Sequence, residues 1–172
     1  GFDLSIKAIG EIKNEYPDIQ YKIAGTYEKK YFNHLNDMIK FYDLKKNVEL
    51  LGNLTRPNIY KLLSKSYLYM HLPININWNF EGFGIVYVEA NAFMTPCIGS
   101  DSGGVSDAII HNKTGFLAKE NSHYEASLYI KKIFDNKQLY DDLSNNSYLW
   151  AKKHSWNIII KEFIEEYKNI NK

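Results

Sequence analysis

Apolar residues recur every three or four positions along much of the chain, which is the period of an amphipathic α-helix. The first such set opens the chain and consists of Leu4, Ala8, Ile12 and Tyr16. Asp3 is placed to cap this helix and Pro17 to end it. Further helices are predicted over residues 29–43, 57–65, 85–93, a short stretch after 103–104, 123–135, 137–153 and 156–169.

Short apolar runs that stop at glycine, proline or a polar residue separate these helices and predict β-strands. The runs cover residues 19–24, 48–51, 67–72, 96–99 and 115–118. Because helices and strands alternate over most of the chain, the predicted fold class is α/β, with a doubly wound, mostly parallel sheet and helices on both faces. Ligands of such sheets bind at the carboxyl ends of the strands, so residues that follow a strand are the first candidates for function.

Composition narrows the class of protein. The 172 residues suit one domain, and a hydrophobic fraction of 45% excludes a disordered chain. A net charge of +1, from 21 basic and 20 acidic residues, gives no electrostatic footprint for nucleic-acid binding. Cys97 is the single cysteine, which excludes an internal disulfide. No apolar run approaches the roughly 18 residues of a membrane span. We therefore expect a cytoplasmic protein without a transmembrane segment.

The strand end with the most candidate functional residues runs from Pro73 through Glu89. Gly82 and Gly84 flank Phe83 directly before a predicted helix, and glycine lets the backbone approach a ligand closely. The N–H groups of Phe83, Gly84 and Ile85 would point out of the helix start and, with the helix dipole, suit a phosphate or diphosphate. An ordinary turn with a glycine N-cap explains the same residues and remains open.

Two carboxylates bracket this turn. Glu81 precedes it, and Glu89 falls in the second turn of the helix that follows. Carboxylates repel a diphosphate but accept hydrogen bonds from sugar hydroxyls. A nucleoside diphosphate sugar would satisfy both features, with its ribose at one carboxylate and its hexose at the other. The alternative is that Glu81 complements the helix dipole and Glu89 faces solvent.

A resemblance to a known family strengthens the first interpretation. The sequence EGFGIVYVEANAFMTPCIGSDSGGVSDAII, followed by NKTGFL, resembles the C-terminal, donor-binding domain of retaining glycosyltransferases with the GT-B fold. That group includes glycogen synthase, sucrose synthase and bacterial mannosyl- and glucosyltransferases. Its mark is a pair of glutamates separated by seven residues, a spacing that Glu81 and Glu89 share. The likeness extends over nearly the whole chain, so we expect residues 1–172 to form a single nucleotide-sugar-binding domain.

The resemblance implies a role for each candidate residue. Glu81 would be catalytic, binding hexose hydroxyls and stabilising charge at the anomeric centre, and Glu89 would accept from both ribose hydroxyls. The backbone of the turn would hold the diphosphate through Gly82, Phe83, Gly84 and Ile85. The base edge would meet Asn53 and Leu54, and the crevice would be lined by Gly25 and Thr26.

The chain also departs from the family's pattern. Members carry an arginine and a lysine on and after a first strand, whereas Gly1 resembles the residue directly after that lysine. The first strand is therefore expected to be missing from the middle of the sheet, where its loss should leave a gap. The N-terminal acceptor domain of a GT-B enzyme is likewise absent from these residues. Residues 74–80 form an insert of unassigned role.

The resemblance implies transfer of a hexosyl group, with retention, from a nucleoside diphosphate sugar to a sugar, polysaccharide or lipid acceptor. No metal and no cofactor are expected. The acceptor would be held by the missing domain, which could also bring the protein to the inner face of a membrane, and the isolated chain should be inactive. Two alternatives stay open: a non-catalytic module that binds nucleotide sugars, and a GT-B-fold sugar-nucleotide epimerase.

Other chemically interesting residues carry weaker signals. His71 lies on a predicted strand and should pack rather than react, and the remaining histidines lack metal-ligand spacing. Cys97 is expected in a buried strand as a small hydrophobe. Trp150 and Trp156 occupy helical apolar positions and are predicted to be in the core. Trp78, in the insert, suits stacking on a sugar and packing between domains equally.

Overall fold

The computed structural model describes residues 1–170, which form an α/β fold. The strands are short and, in chain order, are β1 (Tyr21–Ala24), β2 (Val48–Gly52), β3 (Tyr69–Met70), β4 (Cys97–Asp101) and β5 (Gly115–Lys119). The helices are α1 (Phe2–Ile12), α2 (Lys29–Phe41), α3 (Arg56–Leu63), α4 (Ile85–Asn91), α5 (Val105–Ala108), α6 (His123–Phe134), α7 (Lys137–Lys153) and α8 (Trp156–Ile170).

All the strand pairs are parallel, as predicted. β1 pairs with β2, while β4 lies between β3 and β5 with Ile98 opposite Phe116. Helices connect successive strands, because a parallel connection must return the chain to the starting edge of the sheet. The predicted doubly wound α/β class is therefore confirmed.

The core forms where the apolar faces of the helices meet these strands. α1 buries Leu4, Ile9 and Ile12, and it packs along α6. Ile98 on the central strand β4 and Phe116 on its neighbour β5 are fully buried. Packing of amphipathic faces, rather than helix propensity, supplies most of the stability of helices of this length. The core therefore fixes the strand ends relative to one another.

An apolar groove separates the two sheets. Among residues 1–170 no backbone pairing joins β1 to β3, and between them lies a cavity of about 940 Å³ lined by apolar side chains such as Ile23, Leu62 and Met70. The Tyr21 hydroxyl reaches across and donates to the Met70 carbonyl at 3.1 Å. The gap expected from a missing strand is thus present, and it lies between the two sheets.

Several local predictions need correction. Gly1, not Asp3, occupies the N-cap of α1, and Asp3 lies in the first turn, where its charge suits the helix dipole. Trp156 is not in the core: its side chain is 74% exposed, and α8 contributes no buried residue. Periodicity identified α8 correctly, but periodicity does not say what covers an apolar face. Trp150 is partly buried and donates its indole N–H to the Ala108 carbonyl at 2.9 Å.

None of the helices within residues 1–170 combines the length and the apolar character that crossing a membrane would require.

Candidate functional site

The turn before α4 adopts a conformation that only glycine accommodates without strain. Gly84 is the N-cap of α4 and has a φ of 87°. A Cβ at this position would also lie 2.5 Å from the ring of Tyr87, one turn further along the helix. Glycine at position 84 is therefore required twice, by the left-handed backbone and by the buried tyrosine beneath it.

Three backbone N–H groups of this turn have no partner within the described residues. Those of Phe83, Gly84 and Ile85 donate to no carbonyl or side chain among residues 1–170. A helix start leaves such donors unsatisfied unless a side chain caps them, and no side chain caps α4. The three N–H groups are thus left without an acceptor among the described residues, and their role in binding an anion stays a prediction.

Glu81 lies directly before these amides and is half-buried. Its carboxylate forms no hydrogen bond and no ion pair with any residue that the structure describes. Its backbone carbonyl, in contrast, is engaged and accepts a hydrogen bond from the Gly104 N–H at 2.7 Å. The main chain of Glu81 is therefore fixed while its carboxylate is left for other contacts.

Glu89 lies on α4 and contacts a residue that the sequence interpretation left without a role. Its carboxylate is 3.4 Å from the guanidinium of Arg56, which also donates to the Tyr60 hydroxyl at 2.9 Å. The bond to Tyr60, followed by the nearby charge of Glu89, raises the pKa of Arg56 further. Arg56 is the sole arginine of the chain and follows Leu54 by two residues. This place beside the predicted base-contacting segment could have marked Arg56 as a candidate functional residue in the sequence.

The ends of β1 and β2 come together beside this pair. The Gly25 N–H donates to the Gly52 carbonyl at 2.9 Å, which joins the two strand ends. Thr26 and Asn53 are exposed directly after them, and Leu54 follows. The ion pair between Arg56 and Glu89 then connects this region to α4. The predicted base-contacting segment and the predicted ribose acceptor are therefore neighbours.

The two carboxylates share an electrostatic environment through a buried phenol. Burial is the main cause that raises the pKa of Tyr69, and the charges of Glu81 and Glu89 both add to the shift. Burial likewise raises the pKa of Tyr87, with a contribution from Glu81. The Tyr69 phenol therefore feels the negative charge of both carboxylates.

Two of the weaker candidates, His71 and Cys97, behave as packing residues. The ring of His71 packs against Phe2 and Tyr87, and burial lowers its pKa from 6.5 to about 4, assisted by the amino terminus. Cys97 is buried, which raises the pKa of its thiol and keeps it neutral. No group of three or more His, Cys, Asp or Glu side chains within residues 1–170 could hold a metal ion. Trp78, at the tip of a turn, is 92% exposed.

A second turn, at Gly103 and Gly104, contacts the turn before α4, and the sequence alone indicates no role for it. Gly103 and Gly104 lie against the backbone of Glu81 and Gly82. The hydroxyl of Ser102 donates to the carboxylate of Glu120 at 3.2 Å. Local sequence shows that two glycines precede α5, but it does not show what they touch.

Comparison with known proteins shows the family of this chain. The model of the family described as glycosyl transferases group 1 matches residues 1–150. An uncharacterized glycosyltransferase of Haemophilus influenzae is 29% identical over 171 residues, covering 99% of this chain and 45% of the relative. The GPI3 subunit of phosphatidylinositol N-acetylglucosaminyltransferase from Saccharomyces cerevisiae is 22% identical over 178 residues, covering 99% of this chain and 36% of its own length. The chain thus spans less than half the length of these relatives.

Two solved structures share the fold of this chain. Anabaena HepE, in complex with UDP and glucose, superimposes with a TM-score of 0.86 at 22% identity, covering 98% of this chain and 44% of that one. Sucrose-phosphate synthase from Thermosynechococcus elongatus does so with a TM-score of 0.80 at 19% identity, covering 99% and 43%. These likenesses establish the Rossmann-like half of a GT-B fold. Since the family model covers most of its length, the chain belongs to the glycosyl transferases group 1.

Proposed function

We propose that this chain is the donor-binding domain of a glycosyltransferase that moves a hexosyl group, with retention, from a nucleoside diphosphate sugar to a hydroxyl acceptor. The observation that carries the proposal is the row of three unpartnered amides at Phe83, Gly84 and Ile85, with the uncommitted carboxylate of Glu81 directly before it. Family membership supports transfer over the non-catalytic and epimerase alternatives.

The three backbone amides would bind the diphosphate. Backbone donors aimed at an anion stabilise the negative charge that develops on a departing diphosphate, and they need no reorganisation during the reaction. The positive end of the α4 dipole adds to this effect. The site therefore needs no metal ion to offset that charge, and transfer is proposed to be metal-independent.

The two glutamates would bind the two sugars of the donor. Glu81, beside the amides, would accept from hexose hydroxyls and stabilise positive charge at the anomeric carbon. Glu89 would accept from the ribose hydroxyls, with the base against Asn53 and Leu54. In the free protein Glu89 is paired with Arg56, so ribose has to share or replace that contact. We assign no protein nucleophile.

Relatives support the choice of ligand. HepE was solved in complexes with UDP, with UDP and glucose, and with UDP-glucose. The name of the yeast relative states transfer of N-acetylglucosamine to phosphatidylinositol. Because the chain spans less than half of its curated relatives, the acceptor and the complete reaction belong to the whole protein.

Calorimetric titration with UDP, GDP and ADP tests the proposal. We expect one of the three to bind, and Glu89→Gln to weaken its binding by about 10- to 100-fold, because a charged hydrogen-bond acceptor contributes roughly 1.5–3 kcal/mol. Glu49→Gln is a matched control, since Glu49 is an exposed carboxylate on β2 that pairs with Lys22 on β1.

Two results would contradict the proposal in different ways. Binding of none of the three nucleotides by the wild-type chain would oppose a donor-binding role. Equal affinities of the wild type and Glu89→Gln would oppose the assignment of ribose to Glu89. Addition of EDTA should leave the affinity unchanged if the amides alone hold the diphosphate.

A further inference from the structure

The paired glycines at 103 and 104 lie in backbone contact with the amide-bearing turn. The Gly104 N–H donates to the Glu81 carbonyl at 2.7 Å. A Cβ on Gly103 would overlap that same carbonyl, and a Cβ on Gly104 would overlap the carbonyl of Gly82. The absence of both side chains therefore lets the two turns pack main chain against main chain.

The second turn is itself anchored from the neighbouring strand. Gly103 has a φ of 57°, which glycine adopts without strain. Ser102, just before it, donates its hydroxyl to the Glu120 carboxylate at 3.2 Å. Glu120 directly follows β5 and also accepts from the Asn75 N–H. The Ser102 hydrogen bond thus ties the turn at 102–104 to the residue that follows β5.

The contact reaches the ligand-facing amides through a single peptide plane. The Gly82 carbonyl, which touches Gly104, belongs to the same planar peptide group as the Phe83 N–H. Displacing that oxygen has to rotate the N–H at the other end of the plane. Gly82 itself has open space around the position of a Cβ, so the close contact at this residue is the one that its carbonyl makes with Gly104.

We propose that Gly103 and Gly104 are positioning residues that set the direction of the Phe83, Gly84 and Ile85 amides, and hence the affinity for the diphosphate. This inference rests on the proposed function. Neither glycine needs to touch the nucleotide, because each acts through the backbone of Glu81 and Gly82. A side chain at either position turns the amides away from the diphosphate and leaves the base and ribose contacts intact.

Comparing the affinity for a nucleotide with the affinity for its nucleoside distinguishes this positioning role from a general loss of stability. The probes are the tightest binder among UDP, GDP and ADP, and its nucleoside, which lacks the diphosphate. In Gly104→Ala we expect the nucleotide affinity to fall at least about 10-fold while the nucleoside affinity changes less than about 2-fold. Equal losses for both ligands, or no loss for the nucleotide, would overturn the proposal.

Gly115→Ala is the matched control. A Cβ at Gly115 would overlap the Cys97 carbonyl, a steric conflict of the same kind, but one that lies between β4 and β5. We expect this variant to lower the melting temperature while leaving the ratio of nucleotide to nucleoside affinity unchanged. A selective loss of nucleotide binding in Gly115→Ala would show that the effect is not specific to the turn.

Amide hydrogen exchange of the wild-type protein, measured by NMR, tests the proposal even if no ligand binds and the variant does not fold. In the wild type, the Gly104 N–H should be protected by its bond to Glu81, while those of Phe83, Gly84 and Ile85 should exchange rapidly. In folded Gly104→Ala the Phe83 resonance should shift. An unprotected Gly104 amide would overturn the positioning role, whereas absence of nucleotide binding with Gly104 protected would count against the proposed function alone.

Discussion

Single residues decide whether the turn before α4 is open to a ligand. Gly84 supplies the left-handed backbone, and the Glu81 carboxylate is left without a partner among the described residues. The positions of the glycines and of the two glutamates were readable from the sequence, because spacing is a local property. The pairing of Glu89 with Arg56 was not, since 33 residues separate the two and only the fold brings them within 3.4 Å.

The lowered pKa of His71 predicts that the stability of the protein depends on pH. Burial holds its pKa at about 4 in the folded protein, against 6.5 in the unfolded chain. The unfolded chain therefore binds a proton first as the pH falls, and stability is lost between pH 6.5 and about 4. We expect the free energy of unfolding, measured with urea, to fall by about 2 kcal/mol more between about pH 7.5 and pH 5 in the wild type than in His71→Phe.

A control for this prediction is His34→Gln, since His34 is exposed on α2. Its stability should follow the wild-type pH profile. Identical profiles for the wild type and His71→Phe would show that protonation of His71 does not contribute to acid destabilisation.

Helix starts illustrate how far local sequence determines each element. Ser122 caps α6, accepting a hydrogen bond from the Glu125 N–H at 3.2 Å, and the Asn136 side chain caps α7 in the same way. Such caps explain why the predicted starts of these helices agree with the structure. Strand lengths were less predictable: β3 covers Tyr69–Met70 rather than 67–72, because pairing with a neighbour defines a strand.

Removing the cap of α6 should destabilise the whole domain. We expect Ser122→Ala to lower the free energy of unfolding by about 1 kcal/mol, because one N–H at the helix start loses its acceptor. Ser122→Asp retains an acceptor beside the helix dipole and should keep wild-type stability. Urea denaturation of the two variants makes the comparison, and equal stability of Ser122→Ala and the wild type would contradict the capping role.

The molecule as a whole contains an open apolar groove where a continuous sheet would be expected. β1 and β3 face each other across it without backbone pairing in the described residues, and their apolar side chains line its walls. Gly1 packs against the backbone of Leu72 and Pro73, just past the carboxyl end of β3. A parallel strand in the groove would end at that same edge, beside Gly1.

Filling the groove should stabilise the domain. We expect a fusion of about six alternating valine and isoleucine residues, joined to Gly1 through a short linker, to raise the melting temperature by about 5–10 °C. The stabilisation comes from burial of apolar surface and pairing of two open strand edges. A fusion of equal length made of serine and asparagine is the control, and equal melting temperatures for the two fusions would contradict the prediction.

The sequence by itself determined the order of helices and strands, the α/β class, the glycine-bounded turn and the two glutamates around it. Each of these follows from local periodicity or from the backbone freedom of a glycine. Only the tertiary structure decided that Trp156 and the apolar face of α8 are exposed, that Arg56 reaches Glu89, and that Gly103 and Gly104 lie against the backbone of Glu81 and Gly82. These facts depend on contacts between residues far apart in the chain, and a local pattern does not specify its partner.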